Sequence, residues 1–221
     1  SPEIAVSQDG AIYVTYVVPL NEERGVYLTR STDGGDSWVG PQLVFDGVAA
    51  GWPMVNYPRL TLGGPEDVHL LWTRSSSPPA AAPQSLHYSR SNDGGASWTE
   101  VSQVTESPGE WSNLLAGSEL AVHRFWLAVN DDLWHQSSSD GGHNWSQPQR
   151  VASSNEALPV VASALDGAGR PTPDGGGGGS RRRSCGRRRT QWRRATAQAD
   201  RDGSGRSRDW SRRARRNHGF R

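Results

Sequence analysis

Two groups of residues in this chain carry side chains able to do chemistry. The first is Arg59 and Glu3, each directly after a proline, with Tyr57, Trp52, Trp111 and Glu110 in the stretches that precede or join the apolar runs. A guanidinium, carboxylates and aromatic faces on one loop surface could grip a sugar by ring stacking and hydrogen bonding. Trp52 and Trp111 have a competing use as packing between neighbouring sheets. The second group is Asp33, Asp93 and Asp140, each inside the pattern S-x-D-x-G-x-x-W. A carboxylate flanked by Ser and Gly in this way is suited to accept hydrogen bonds from the amides of its own turn.

The pattern occurs three times, as Ser31, Asp33, Gly35 and Trp38, as Ser91, Asp93, Gly95 and Trp98, and as Ser138, Asp140, Gly142 and Trp145. The copies recur every 47 to 60 residues, which marks a repeat architecture. A short apolar run precedes each copy (Val26–Arg30, Leu86–Arg90, Leu133–Ser137), and extended sequence resumes after it at Leu43, Val104 and Val151. The pattern therefore reads as a hairpin turn, with glycines supplying positive backbone dihedrals. Upstream of each hairpin lies another alternating run, Ile12–Val17, Val68–Trp72 or Phe125–Val129, itself preceded by a shorter extended segment. Each unit predicts four short strands, one blade of a propeller, and no stretch carries a helical apolar period.

With these residues in place, the chain resembles the Asp-box (bacterial neuraminidase repeat) β-propellers, the fold of the sialidases, over residues 1–168. The resemblance implies an all-β, sialidase-like propeller present as about three four-stranded blades plus the start of a fourth. It implies that the box residues are scaffold, far from any active site. It also implies a glycan or carbohydrate-bearing ligand, entering on the face opposite the boxes, and an extracellular or cell-surface location. Glu22, Glu23 and Arg24 belong to that same face.

Sialidases hold the substrate carboxylate with three arginines and use a Glu-activated Tyr as nucleophile, with an Asp assisting. Here the family's F/Y-R-I-P signature is absent; the nearest string, Tyr57-Pro58-Arg59-Leu60, has another order and follows the first box. Arg59 stands where one triad arginine is expected, whereas Arg30 and Arg90 directly precede boxes and suit a structural role. The expectation is a propeller of glycoside hydrolase type, incomplete as a fragment and inactive by itself, with catalytic residues unknown. The alternative is a non-catalytic binding module, since one fold hosts many functions.

A fourth unit starts at Pro159 and reaches Asp166-Gly167, then gives way to five glycines, Gly175–Gly179. Residues 171–221 hold 16 Arg against 4 Asp, whereas residues 1–170 hold 8 Arg against 19 acids, so the formal net charge of +1 conceals two unlike segments. Residues 169–221 form a second segment, a Gly/Arg-rich low-complexity tail expected to be disordered. Its Arg-rich composition without Lys fits a GC-rich coding sequence read out of frame; a plain solvated extension and nucleic-acid binding through arginines and Trp192 or Trp210 are the other readings.

The remaining chemistry is sparse. His69, His87, His123 and His135 lie on different strands without the close spacing of a zinc site, so no metal and no cofactor is expected. The single cysteine, Cys185, excludes a disulfide within the chain. No apolar run approaches the roughly 20 residues that span a bilayer.

Overall fold

The computed structural model describes residues 2–117, 120–153, 164–165 and 171–172. The glycine run and the Arg-rich tail lie outside the described residues. Every regular element among the described residues is a β-strand. The first sheet is β1 (Glu3–Val6), β2 (Ile12–Val18), β3 (Gly25–Ser31) and β4 (Val39–Asp46); the second is β5 (Met54–Leu62), β6 (Val68–Ser75), β7 (Pro83–Ser91) and β8 (Ser102–Thr105). The third is β9 (Pro108–Ala116), β10 (Val122–Ala128), β11 (Leu133–Ser138) and β12 (Gln149–Ala152). Each sheet keeps strict sequence order and pairs antiparallel throughout, the meander of a propeller blade. Where the fourth unit was expected, the two-residue strands β13 (Ala164–Leu165) and β14 (Pro171–Thr172) pair antiparallel.

Register makes the three sheets superimposable. Ile4 pairs Val14, which pairs Thr29; Leu60 pairs Leu70, which pairs Ser89; Leu114 pairs Arg124, which pairs Gln136. Glu3, Arg59 and Asn113 therefore occupy one and the same position on the innermost strands β1, β5 and β9. Those strands stand side by side, with the Ala116 amide donating to Thr61 Oγ1 across 3.2 Å. The result is an open arc of three blades.

Burial follows from this stacking. The middle sheet is covered on both faces, so β6 is buried from Val68 through Thr73 without alternation, whereas β2, covered on one face, alternates. Tyr13, Leu28 and Val68 belong to the apolar core against which Leu60 and Leu62 pack, joining the first sheet to the second. Leu71, Leu86, Tyr88, Leu114 and Trp126 join the second to the third. Ile4, the counterpart of Leu60 and Leu114, is 65% exposed.

The S-x-D-x-G-x-x-W turns are the hairpins that close each blade's third and fourth strands, and their hydrogen bonds repeat. Ser31 Oγ donates to Asp33 Oδ1 (2.7 Å) and accepts from the Gly35 amide (2.9 Å), while Asp33 Oδ1 accepts from the Ser37 amide (2.9 Å). Ser91 with Asp93 and Ser138 with Asp140 repeat the first contact at 2.7 Å, and Gly95 and Gly142 repeat the second. Trp38 and Trp98 each donate Nε1–H to the carbonyl of the box glycine three residues back (3.1 Å). All three of these box glycines take positive φ, +101° at Gly35, +95° at Gly95 and +82° at Gly142. The second and third boxes also dock on the blade before them: Arg30 Nη1 donates to Gly94 O (3.4 Å) and Arg90 Nη1 to Gly141 O (2.8 Å). The two arginines expected to be structural thus stitch successive blades together.

Candidate functional site

The innermost strand β5 carries an irregularity next to Arg59. Its ladder with β6 pairs Asn56 with Thr73 and then Arg59 with Leu71, leaving Tyr57 and Pro58 facing one residue. Tyr57 takes a φ of +51°, a left-handed conformation that costs an aromatic residue on the order of 1–3 kcal/mol. A bulge re-aims side chains at the end of a strand. β9 breaks its ladder in the corresponding stretch, between Trp126 and Ala128 of β10, where Glu110 and Trp111 lie.

Arg59 follows the bulge and is held from three sides. Its Nε donates to Ser112 O (2.6 Å), and its Nη1 donates to Glu3 Oε1 (2.6 Å) and to Pro58 O (3.2 Å). One guanidinium thus ties the innermost strands of all three blades together at the axis. The pair stays partly open, with side-chain exposures of 22% for Arg59 and 35% for Glu3. Beside it is a cleft of about 280 Å³ lined by Val17, Pro19, Asn56, Tyr57, Pro58 and Arg59. Val17 and Pro19 end β2 and begin the loop that holds Glu22 and Glu23, so the cleft lies on the face opposite the boxes.

Of the residues proposed from sequence, Arg59, Glu3 and Tyr57 come together here. Trp111 is half-buried and adjoins Ser112, whose carbonyl Arg59 contacts; Glu110, beyond it, is exposed. Trp52 is corrected: it does not face this cleft but is buried against Val26, Val55 and Trp72, with its ring 4.3 Å from Phe45 and 4.4 Å from His87. Of the two uses open to it in the sequence, packing between sheets prevails, because an indole at a blade junction gains more by leaving water. Arg24 anchors that loop by donating Nε–H to Trp52 O (2.6 Å).

The box carboxylates are engaged within their own turns. Asp33 is held far below the usual carboxylate range by the Ser31 hydroxyl and then by Ser37; Asp93 falls to about 2 through Ser97; Asp140 is lowered first by the Asn144 amide and then by Ser138. Carboxylates so stabilised as anions are poor proton donors or acceptors near neutrality.

A buried polar cluster between the second and third blades was not foreseen. His69 Nδ1 and the Tyr88 hydroxyl lie 2.7 Å apart, and His69 Nε2 lies 3.1 Å from Asp67 Oδ2. Arg124 packs its guanidinium 3.8 Å from the Trp145 ring centroid, and burial lowers its pKa to about 10. The signal that could have found it is a lone Arg at the position held by Val14 and Leu70 in the other blades. Tyr88 packs against Trp145 and Arg124 of the third blade, and its burial pushes the phenol above its ordinary value, the reverse of what an activated nucleophile needs. No group of His, Cys, Asp and Glu among the described residues is arranged to hold a metal ion, and among them no helix is long and apolar enough to cross a membrane.

No protein-family model matches the chain, and no curated protein matches it in sequence. Solved structures do match. A Hadza microbial sialidase aligns at 17% identity with a TM-score of 0.50, over 67% of this chain and 37% of its own. The fold is sialidase-like. The NanB sialidase of Streptococcus pneumoniae aligns at 14% identity and TM-score 0.47 over 72% of this chain and 24% of its own. An α-L-arabinofuranosidase of Fusarium graminearum aligns at 19% identity and TM-score 0.43, over 67% and 47% respectively. This sialidase-like chain spans less than half the length of each of these three proteins.

Proposed function

We propose that this chain is an Asp-box propeller segment of glycoside-hydrolase type that recognises a glycan at the Tyr57–Arg59 cleft, without turning it over by itself. The observation that carries the reading is the Arg59–Glu3 pair at the axial end of the innermost strands, beside a bulge that holds Tyr57 at positive φ. A strained non-glycine residue next to an open cleft is a common mark of a binding site. The absence of turnover in this reading is supported by the chemistry beside the cleft: Glu3 is engaged with Arg59, and among the described residues no carboxylate lines the cavity to serve as acid or base.

The test is a binding titration with soluble oligosaccharides alongside hydrolysis of a fluorogenic sialoside. Saccharide binding lost in Arg59→Ala, with no release of fluorophore, supports the reading; hydrolysis abolished by Arg59→Ala makes the chain an enzyme. A protein-binding platform is the second reading. It is favoured by the exposed Ile4, Val6 and Trp38 on the first blade, whose counterparts on the other blades are packed away. Absence of any saccharide binding directs attention to it.

A further inference from the structure

We infer that the Tyr57–Arg59 cleft selects neutral, hydroxyl-rich sugars over sialic acid and other anionic ones. This rests on the glycan-binding reading and narrows it. The argument is one of charge. A sugar carboxylate is captured by guanidinium groups free to meet it bidentately, and sites for it gather several cations. Among the described residues Arg59 is the one arginine lining this cleft, and its charge is already met by Glu3 at 2.6 Å, with Ser112 O taking Nε–H.

None of the other arginines of the described residues lines this cleft. Arg24 is bound to backbone carbonyls of Trp52 and Asn21, and Arg30 and Arg90 hold boxes of the following blades. Arg74 lies over Trp52, Arg124 is buried under Trp145, and Arg150 faces Asp132. Glu22 and Glu23, in the loop after Pro19, and Glu110, on β9, are exposed on the same side. An entering carboxylate would meet an ion pair without net charge, with further carboxylates rather than cations on the neighbouring loop and strand, and would have to displace Glu3 to gain a guanidinium.

Neutral sugars fit the same atoms without such a cost. An Arg–Glu pair sets N–H donors beside carboxylate acceptors, and adjacent sugar hydroxyls each offer one donor and one acceptor. The charged partner makes each such bond stronger than a neutral one. Tyr57, lining the cleft next to them, supplies an aromatic face for the C–H face of a pyranose or furanose ring.

The experiment is calorimetric titration of the full chain with lactose, sialyllactose, and gluco-, xylo- and arabino-oligosaccharides, repeated on Glu3→Gln and Tyr57→Ala. Expected are binding of at least one neutral sugar, sialyllactose no tighter than lactose, and a loss of about tenfold in neutral-sugar affinity for Tyr57→Ala. Glu3→Gln frees Arg59 from its counter-charge, so sialyllactose should gain about tenfold relative to lactose. Circular dichroism of both variants checks that the blades stay folded. Sialyllactose binding the unaltered chain more tightly than lactose overturns this inference while leaving glycan recognition standing. Failure of every saccharide to bind the unaltered chain overturns both.

Discussion

The guanidinium of Arg124 lies 3.8 Å from the ring centroid of Trp145, so the third box tryptophan is clamped over a cation from its own sheet while Tyr88 of the preceding blade meets it edge-on at 5.2 Å. Trp98 packs into the equivalent junction one blade earlier, whereas Trp38, on the first blade, is 46% exposed. One motif thus holds three tryptophans in two environments. Trp145→Ala and Trp98→Ala should each cost about 3 kcal/mol of unfolding free energy, and Trp38→Ala less than about 1 kcal/mol. Urea unfolding followed by circular dichroism measures all three; equal costs would mean that the boxes are not wedged between blades.

Arg124 itself is a charge taken out of water with incomplete compensation. Nε and Nη2 both donate to Gln136 Oε1 (3.0 and 2.8 Å), and Nη1 is buried without a hydrogen-bond partner. A buried charge in this state contributes little net stability, so Arg124→Met should leave unfolding within about 1 kcal/mol of the unaltered protein. Gln136→Leu removes the acceptor and leaves the charge, and should cost about 2 kcal/mol. The order of the two midpoints in urea is the readout.

The blade was legible from sequence because its signals are local. Ser, Asp, Gly and Trp each perform their task within the turn that contains them, and strand alternation needs only the chain's own period of two. The site was legible only in part. Glu3 and Arg59 could be matched by their shared place after a proline, and the fold brings them into contact. The bulge that turns Tyr57 to positive φ could not be foreseen, since that backbone state is imposed on a non-glycine residue by tertiary packing. Trp52 shows the same limit from the other side, because sequence does not distinguish an aromatic at a cleft from one sealed between blades.

The box glycines make the blade junctions sensitive to a single methyl. At Gly142 an added Cβ would overlap the Tyr88 hydroxyl, and at Gly95 it would press on Leu28 Cδ2, both on the preceding blade. At Gly35 the same atom meets nothing nearer than 3.9 Å. All three sit at positive φ, so each Gly→Ala change carries backbone strain of about 1 kcal/mol. Only Gly95→Ala and Gly142→Ala add overlap, which should raise their cost by a further 1–3 kcal/mol or so. Thermal unfolding of the three variants should therefore rank Gly35→Ala as the mildest.

Acid should loosen the junction of the first two blades before it reaches the boxes. His87 packs tilted against Trp52, its Nε2 lies 2.7 Å from Ser85 Oγ, and burial, aided by the Arg74 charge, lowers its pKa from about 6.5 to about 4. The folded-state value is depressed, so the unfolded chain binds the extra proton between the two values. The contribution is complete above about pH 6.5, falls by about 1.4 kcal/mol per unit below it, and levels off near pH 4, a loss on the order of 3 kcal/mol at most. His135, lowered by burial and then by His123, acts in the same direction. The box carboxylates, depressed below the ordinary Asp value, lose their contribution only at still lower pH. His87→Gln should flatten the urea midpoint between pH 7 and 4.5 while leaving the steeper decline below pH 4 intact. An unaltered protein whose midpoint does not move between pH 7 and 4.5 would show that His87 is not held neutral by its burial against Trp52.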